Sequence, residues 1–154
     1  MAVMEIRKAG DKVLKDLAEP VAKIDRKIKR LLDDMVHTMR EAEGVGLAAP
    51  QVGVSLRVIV VDAGEGLVEL INPVLSEIEG SECSTEGCLS IPGVFGEVQR
   101  GAKVKVEGLN REGKKVCITA TGLLARALQH EIDHLDGVLF IERAQSIHRA
   151  QTNV

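Results

Sequence analysis

The stretch that decides the fold is residues 122–137, GLLARALQHEIDHLDG. Its apolar residues recur at intervals of three and four, which predicts an amphipathic helix, and Gly137 stands where such a helix would end in the left-handed conformation. His130, Glu131 and His134 form an HExxH pattern within it. Histidines four residues apart project from nearly the same side of a helix, so their ring nitrogens can converge on one metal ion. The glutamate beside them is placed to handle protons.

The two histidines continue an apolar stripe that begins with Leu123 and Ala127. A metal ion bound there would therefore lie against the protein interior and not in open solvent. The alternative is an ordinary helix that carries two histidines by chance. The glutamate at the matching position and the apolar stripe both favour the metal site.

A catalytic site of this type normally has three protein ligands and one position left open. In metzincins the third ligand would be a histidine where this chain has Phe140, and Glu142 is the sole glutamate after His134. The third ligand is therefore expected upstream, where the candidates are Cys83, Cys88, Cys117 and His37. We favour Cys88, because the glycine before it and the proline after it predict a bent stretch that can present a thiolate.

Working outward from this helix, apolar spacing predicts an N-terminal helix from Ile24 with Asp25 as its N-cap. The glycine-rich stretch GVGLAAPQVGV, residues 44–54, predicts a shaped loop. Two antiparallel hairpins follow from alternating valines and turn residues, at residues 56–62 with 67–72 and 103–107 with 115–121. The sequence therefore predicts an α+β fold, in which antiparallel β-sheets pack around a central HExxH-bearing helix, with an N-terminal helix.

Composition narrows the protein class. At 154 residues, we expect one domain over residues 1–154, with a short C-terminal tail from about residue 144. The chain has two phenylalanines, no tryptophan or tyrosine and a net charge of −3, so we predict no direct nucleic-acid binding. The first twenty residues resemble no signal peptide, and no apolar run is long enough for a membrane span. Three cysteines without a CxxC pattern favour a reducing cytoplasm.

Three motifs together resemble the signature motifs of the peptide deformylases, in the same chain order. They are GVGLAAPQ at residues 44–51, EGCLS at residues 86–90 and QHEIDH at residues 129–134. The resemblance covers nearly the whole chain. It implies a metal-dependent hydrolase that removes the N-formyl group from the N-terminal methionine of newly made polypeptides and releases formate.

Carried over by position, the resemblance implies roles for individual residues. Glu131 would be the acid/base, and the side-chain amide of Gln51 with the backbone N–H of Leu89 would stabilise the oxyanion. The implied metal ligands are Cys88, His130 and His134. The resemblance implies one iron(II) ion per chain, while zinc, nickel or cobalt also suits this donor set. The substrate pocket would include Val45, Gly46, Leu123 and Ala127.

The expected partners are N-formylmethionyl peptides and nascent chains, in a bacterial cytoplasm and without membrane attachment. A position near the ribosome is compatible with this function, but the basic tail that many family members have is short here. Two other functions remain open: a zinc peptidase that cuts internal peptide bonds, and a metal-binding module without turnover.

Three further side chains have expected positions. We interpret Asp133 as a solvated carboxylate on the helix face, although a contact with a ligand histidine is the alternative. Glu43 and Arg100 are candidates for an ion pair that braces the glycine-rich loop. Cys117 fits an inward position in its strand, KVCITAT.

Overall fold

The computed structural model describes residues 2–149. Two α-helices, α1 and α2, span Arg26–Glu41 and Gly122–Leu135. Eight strands, β1 to β8, span Gly46–Ala48, Val58–Asp62, Leu67–Glu79, Glu82–Cys88, Ile91–Arg100, Lys103–Leu109, Lys115–Thr121 and Ser146–Arg149. Within residues 2–149, neither helix has the length and apolar content needed to cross a membrane.

The strands form two antiparallel sheets. The larger has the order β1-β2-β3-β6-β7, and the smaller has the order β4-β5-β8. Both predicted hairpins are confirmed, because β2 pairs with β3 and β6 pairs with β7. Strand β3 continues well past the predicted end at residue 72, since a register shift between Ile71 and Val74 accommodates Pro73. Proline cannot donate to a strand ladder, and such an irregularity lets the pairing resume beyond it.

The larger sheet lies between the two helices. In β2, Val58 and Val60 are buried in the cluster that includes α1, whereas Ile59 and Val61 are buried in the cluster that includes α2. Successive side chains of a strand point to opposite faces. Because β2 has apolar residues on both faces, it is covered on both sides. This arrangement confirms the predicted α+β fold with the HExxH helix packed centrally.

The helix boundaries follow from local chemistry. Asp25 caps α1 as predicted, with its carboxylate accepting the backbone N–H of Ile28. Helix α2 ends two residues before Gly137, which has φ +73°. Arg57 donates to the backbone oxygen of Leu135 and so satisfies one of the carbonyls left free at this end.

The smaller sheet was not predicted from the sequence. The stretch EGCLSIP, residues 86–92, bends as predicted, but it does so as the end of β4, a two-residue turn and the start of β5, with Cys88 paired to Ile91 across the turn. The predicted tail from about residue 144 contributes β8, which pairs with β5. The expected inward position of Cys117 is wrong: its side chain is exposed. The alternation of β7 instead gives the inward positions to Val116, Ile118 and Ala120.

Candidate active site

The two histidines of α2 and a cysteine from β4 come together in the structure. Cys88, His130 and His134 each offer one ligand atom, and the three atoms lie within 4.8 Å of one another. The Sγ atom of Cys88 is 3.3 Å from Nε2 of His134, and the two imidazole rings meet edge to face at 5.0 Å. The third donor expected upstream is thus found at the end of β4, where the chain turns into β5.

This donor set fits a divalent transition metal. One thiolate with two imidazoles suits iron(II), zinc, cobalt or nickel, and three ligands leave a position open for water or substrate. Burial agrees with this fit, since the ring of His134 is only 1% exposed and presents Nε2 to the Cys88 sulfur. The other candidate ligands do not converge here: Cys83 and Cys117 are exposed, and His37 lies on α1.

A buried carboxylate stands behind the first histidine. Nδ1 of His130 lies 3.0 Å from Oε1 of Glu86 and donates to it, which leaves Nε2 for a metal ion. Arg100 donates to both oxygens of Glu86, at 2.8 and 2.9 Å. Burial alone would raise the pKa of Glu86, but the hydrogen bonds from Arg100 and His130 outweigh it and hold the pKa well below its usual range. Glu86 is therefore an anion that orients the His130 ring.

Two expectations about this region are wrong. Arg100 pairs with Glu86 and Asp133, and not with Glu43, because β5 ends beneath α2 and directs the guanidinium into the interior. Asp133 is not a solvated carboxylate, since it accepts from Arg100 and Arg143. Asp133 therefore acts on the ligand histidine indirectly, through the arginine that holds Glu86.

The two histidines differ in their preference for a proton. Burial opposes protonation of His130, but the neighbouring Cys88 and Glu86 raise its pKa to about 10. Burial and the charge on His130 hold the pKa of His134 well below its usual range. When no metal ion is bound, these shifts favour a positive charge on His130 and a neutral His134. A divalent ion binds neutral imidazole and replaces the proton that carries this charge.

Glu131 lies beside the donor cluster and is 4% exposed. Burial raises its pKa to about 7, against the opposing effect of the positive charges on His130 and Arg100. Its Oε1 atom has no hydrogen-bond partner within residues 2–149. A Cβ atom added to Gly46 would lie only 2.6 Å from its Oε2 atom, so the glycine lets the β1 backbone pack directly against this carboxylate.

Gln51 is buried and held from both ends. Its Oε1 atom accepts the backbone N–H of Ala48 at 2.9 Å, so its amide nitrogen faces the site. That nitrogen lies 3.2 Å from Oγ of Ser90 and 3.5 Å from Sγ of Cys88. Leu89 follows Cys88 at the turn after β4 and lines the same cavity. Gln51 and Leu89, which are expected to act together, thus both line this cavity.

A cavity of about 460 Å³ opens onto this cluster. It is lined by all four residues expected in the substrate pocket, namely Val45, Gly46, Leu123 and Ala127. Leu123 is 55% exposed at the rim, an unusual position for a large apolar residue of a helix that is otherwise mostly buried. An exposed apolar side chain at the mouth of a cavity is typical of a ligand-binding site.

Sequence reasoning missed several residues of this site. Phe95 and Arg126 also line the cavity, and Glu86 with Arg100 forms the buried ion pair behind His130. The sequence contained one indication of the role of Glu86, because a glutamate within a ligand-bearing motif is a candidate partner for a ligand histidine. The sequence contained no such indication for Phe95 or Arg126. They reach the cavity only because β4 pairs with β5 and α2 packs against these two strands.

Comparison with known proteins gives one consistent result. The family model described as polypeptide deformylase matches residues 3–150. The peptide deformylase of Pelotomaculum thermopropionicum is 58% identical over 149 residues, which are 97% of this chain and 96% of that protein. The one from Halothermothrix orenii is 60% identical, with 96% and 97% covered. The crystal structure of peptide deformylase from Thermotoga maritima superposes with a TM-score of 0.92 at 45% identity, covering 95% of this chain and 100% of that one.

Proposed function

Because the chain belongs to the peptide deformylase family, we propose that Cys88, His130 and His134 hold the metal ion on which its activity depends. The protein is a metal-dependent hydrolase that removes the N-formyl group from the N-terminal methionine of newly made polypeptides. The single observation that carries the residue assignment is the convergence of these three donors beside the buried carboxylate of Glu131, whose Oε1 atom has no hydrogen-bond partner among residues 2–149.

Each remaining residue has a defined task in the proposed mechanism. A divalent ion bound by the three donors supplies Lewis acidity, which makes water a nucleophile near neutral pH. Glu131 accepts a proton from the attacking water and later delivers it to the departing amine. The products are then formate and a free amino terminus.

Gln51 and Leu89 are assigned to the oxyanion that forms when the formyl carbon is attacked. The amide nitrogen of Gln51 already points toward the cluster, because Ala48 fixes the orientation of its other end. The backbone N–H of Leu89 is the second donor. A preorganised donor of this kind is worth about 3 kcal/mol of transition-state stabilisation.

The cavity accounts for selection of a formylated methionine. Because Gly46 has no side chain, the β1 backbone packs directly against Glu131, and a loop of this kind can close tightly over a group as small as formyl. Val45, Leu123 and Ala127 supply aliphatic surface for the unbranched methionine side chain. We assign these four residues to substrate binding, within one catalytic domain formed by residues 1–154.

We propose iron(II) as the native metal, as the family resemblance implies. A site with one thiolate and two imidazole ligands also binds zinc, nickel or cobalt, and the resemblance implies an oxygen-sensitive iron(II) ion with zinc as a frequent occupant of purified samples. Metal analysis after anaerobic purification tests this assignment. Loss of activity in air, with restoration by added iron(II) under anaerobic conditions, is the expected result. We place the protein in the bacterial cytoplasm, in keeping with the bacterial sources of its relatives.

One assay separates the proposed function from its two rivals. The anaerobically purified, metal-loaded protein is incubated with formyl-Met-Ala-Ser and, separately, with an unformylated peptide. Formate released from the first peptide alone supports the proposal. Cleavage of the unformylated peptide favours a zinc peptidase, and no turnover of either favours a metal-binding module. A Glu131→Gln variant that binds metal serves as the control for reagent background.

A further inference from the structure

Arg126 lies one turn before His130 on α2 and reaches across to the smaller sheet. Its guanidinium donates to Oε2 of Glu86 at 2.6 Å, to the backbone oxygen of Val98 at 2.9 Å and to the backbone oxygen of Glu82 at 2.8 Å. The side chain is 11% exposed, and it forms part of the cavity wall. A guanidinium that donates three hydrogen bonds is fixed in one orientation, unlike an arginine in a solvated ion pair.

The contacts of Arg126 complete the set of donors around the Glu86 carboxylate. Oε1 accepts from His130 and Arg100, while Oε2 accepts from Arg100 and Arg126. We propose that Arg126 is a positioning residue of the metal site, which aligns His130 through Glu86 and fixes the strand that carries Cys88. This inference rests on the ligand set proposed above.

Arg126 and Arg100 both donate to Glu86, but their other contacts lie in different parts of the structure. Arg100 also pairs with Asp133, on the side of the network away from the substrate cavity. Arg126 instead binds both Glu82 and Glu86, the first and fifth residues of β4, and Cys88 is the last residue of that strand. Arg126 therefore adds a second connection, beside the contact between His130 and Glu86, from the helix bearing two ligands to the strand bearing the third.

The site geometry depends on this connection because β4 is an edge strand. It pairs with β5 on one side only, and its register shifts between Glu86 and Cys88. A strand end with such an irregularity is less firmly held by its backbone hydrogen bonds than a regular central strand. Loss of the Arg126 contacts would leave an oxygen of a buried carboxylate without one of its donors and would loosen the strand just before Cys88.

The test compares three variants. Arg126→Met keeps the unbranched stem along the cavity wall and removes all three hydrogen bonds. Arg126→Lys keeps the charge but loses the planar fork that reaches several acceptors at once. Arg111→Met is the matched control. Arg111, like Arg126, donates three hydrogen bonds, but its acceptors are the carboxylates of Glu69 and Asp33, and none of these residues lines the cavity.

Three measurements are made on each variant: retention of zinc against a competing chelator, the visible absorption spectrum of the cobalt(II)-substituted protein, and kcat and KM for formyl-Met-Ala-Ser. For Arg126→Met we expect roughly tenfold weaker zinc binding or more, an altered cobalt spectrum, and a loss that falls mainly on kcat. Arg126→Lys should be intermediate in all three. Arg111→Met should retain the zinc affinity and the cobalt spectrum of the wild type.

The proposal is overturned if Arg126→Met binds zinc as tightly as the wild type with an unchanged cobalt spectrum, or if only KM rises. It is also overturned if Arg111→Met loses zinc to the same extent, since the effect would then reflect general stability. Should Arg126→Met fail to fold, Arg126→Lys decides by the same criteria. A Cys88→Ser variant, measured in parallel, tests the ligand set separately from the role of Arg126. If this variant retains zinc, the proposed ligand set is wrong. If it loses zinc, the ligand set stands and the Arg126 variants decide the role of Arg126.

Discussion

Replacement of Gly46 by alanine tests the packing of the glycine-rich loop against Glu131. The added Cβ would lie 2.6 Å from Oε2 of Glu131 and 2.9 Å from its Cγ. The φ angle of Gly46 lies outside the left-handed region, so the backbone tolerates alanine there. The nearest conflict is therefore with the side chain of Glu131, and we expect an effect on the position of its carboxylate as well as on folding.

The size of the effect follows from these distances. To reach an ordinary contact of 3.4 Å, Oε2 must move by about 0.8 Å. A misplacement of about 1 Å in a reacting group can cost roughly 100-fold in rate. We therefore expect kcat to fall by about 10-fold to 100-fold, which corresponds to about 1.4 to 2.7 kcal/mol. Overpacking should lower the free energy of unfolding by about 1 to 3 kcal/mol.

The assay is formate release from formyl-Met-Ala-Ser, together with metal content and thermal unfolding. Gly44→Ala is the matched control from the same loop. Its Cβ would meet the end of the Leu89 side chain at 2.7 Å, with the next contact at 3.5 Å, and this flexible end can turn away. Its loss of kcat should thus be much smaller. A Gly46→Ala protein with wild-type kcat would refute the inference that the Gly46 backbone holds Glu131 in its reactive position. Loss of metal from this variant would show that the effect is not confined to Glu131.

Three further substitutions test single roles. Glu131→Gln should retain its metal, because Glu131 is not a proposed ligand, and lose about 100-fold or more in kcat; metal analysis beside the formate assay checks both, and an active variant contradicts the acid/base role. Cys88→Ala should lose the metal, so a fully metallated, active protein would exclude Cys88 as a ligand. Gln51→Leu should lower kcat by about 100-fold to 1000-fold with little change in KM, and a rise in KM alone would argue against a transition-state contact.

The buried charges around Glu86 explain why substitutions near the site should lower the stability of the protein. Glu86, Arg100 and Asp133 form a chain of ion pairs that begins at His130 and ends at the exposed Arg143. Removing one partner of a buried pair leaves an uncompensated charge, which is strongly destabilising. Substitutions within the network should therefore affect both folding and metal binding, which is why the conservative and control variants above are needed.

Local patterns were sufficient to predict much of the fold. The helices, the cap at Asp25 and both hairpins of the larger sheet depend on spacing and turn chemistry within short segments, and all are present. The smaller sheet escaped prediction because its strands are only partly buried and contain glycine and proline. Strand β4 is mostly exposed, and the alternate buried positions near the end of β5 are Gly96, Val98 and Arg100, so neither strand shows the alternation of apolar and polar residues that identifies a half-buried strand.

The sequence by itself determined which residue types can bind a metal and that two of them lie together, because His130 and His134 are placed by the geometry of a single helix turn. Only the tertiary structure decided that Cys88 is the third donor at this site, that Glu86 lies behind His130, and that Arg126 links the two ligand-bearing elements. The physical reason is that these contacts join residues about 30 to 45 positions apart. Their proximity depends on how α2 packs between two sheets, and no local spacing rule contains that information.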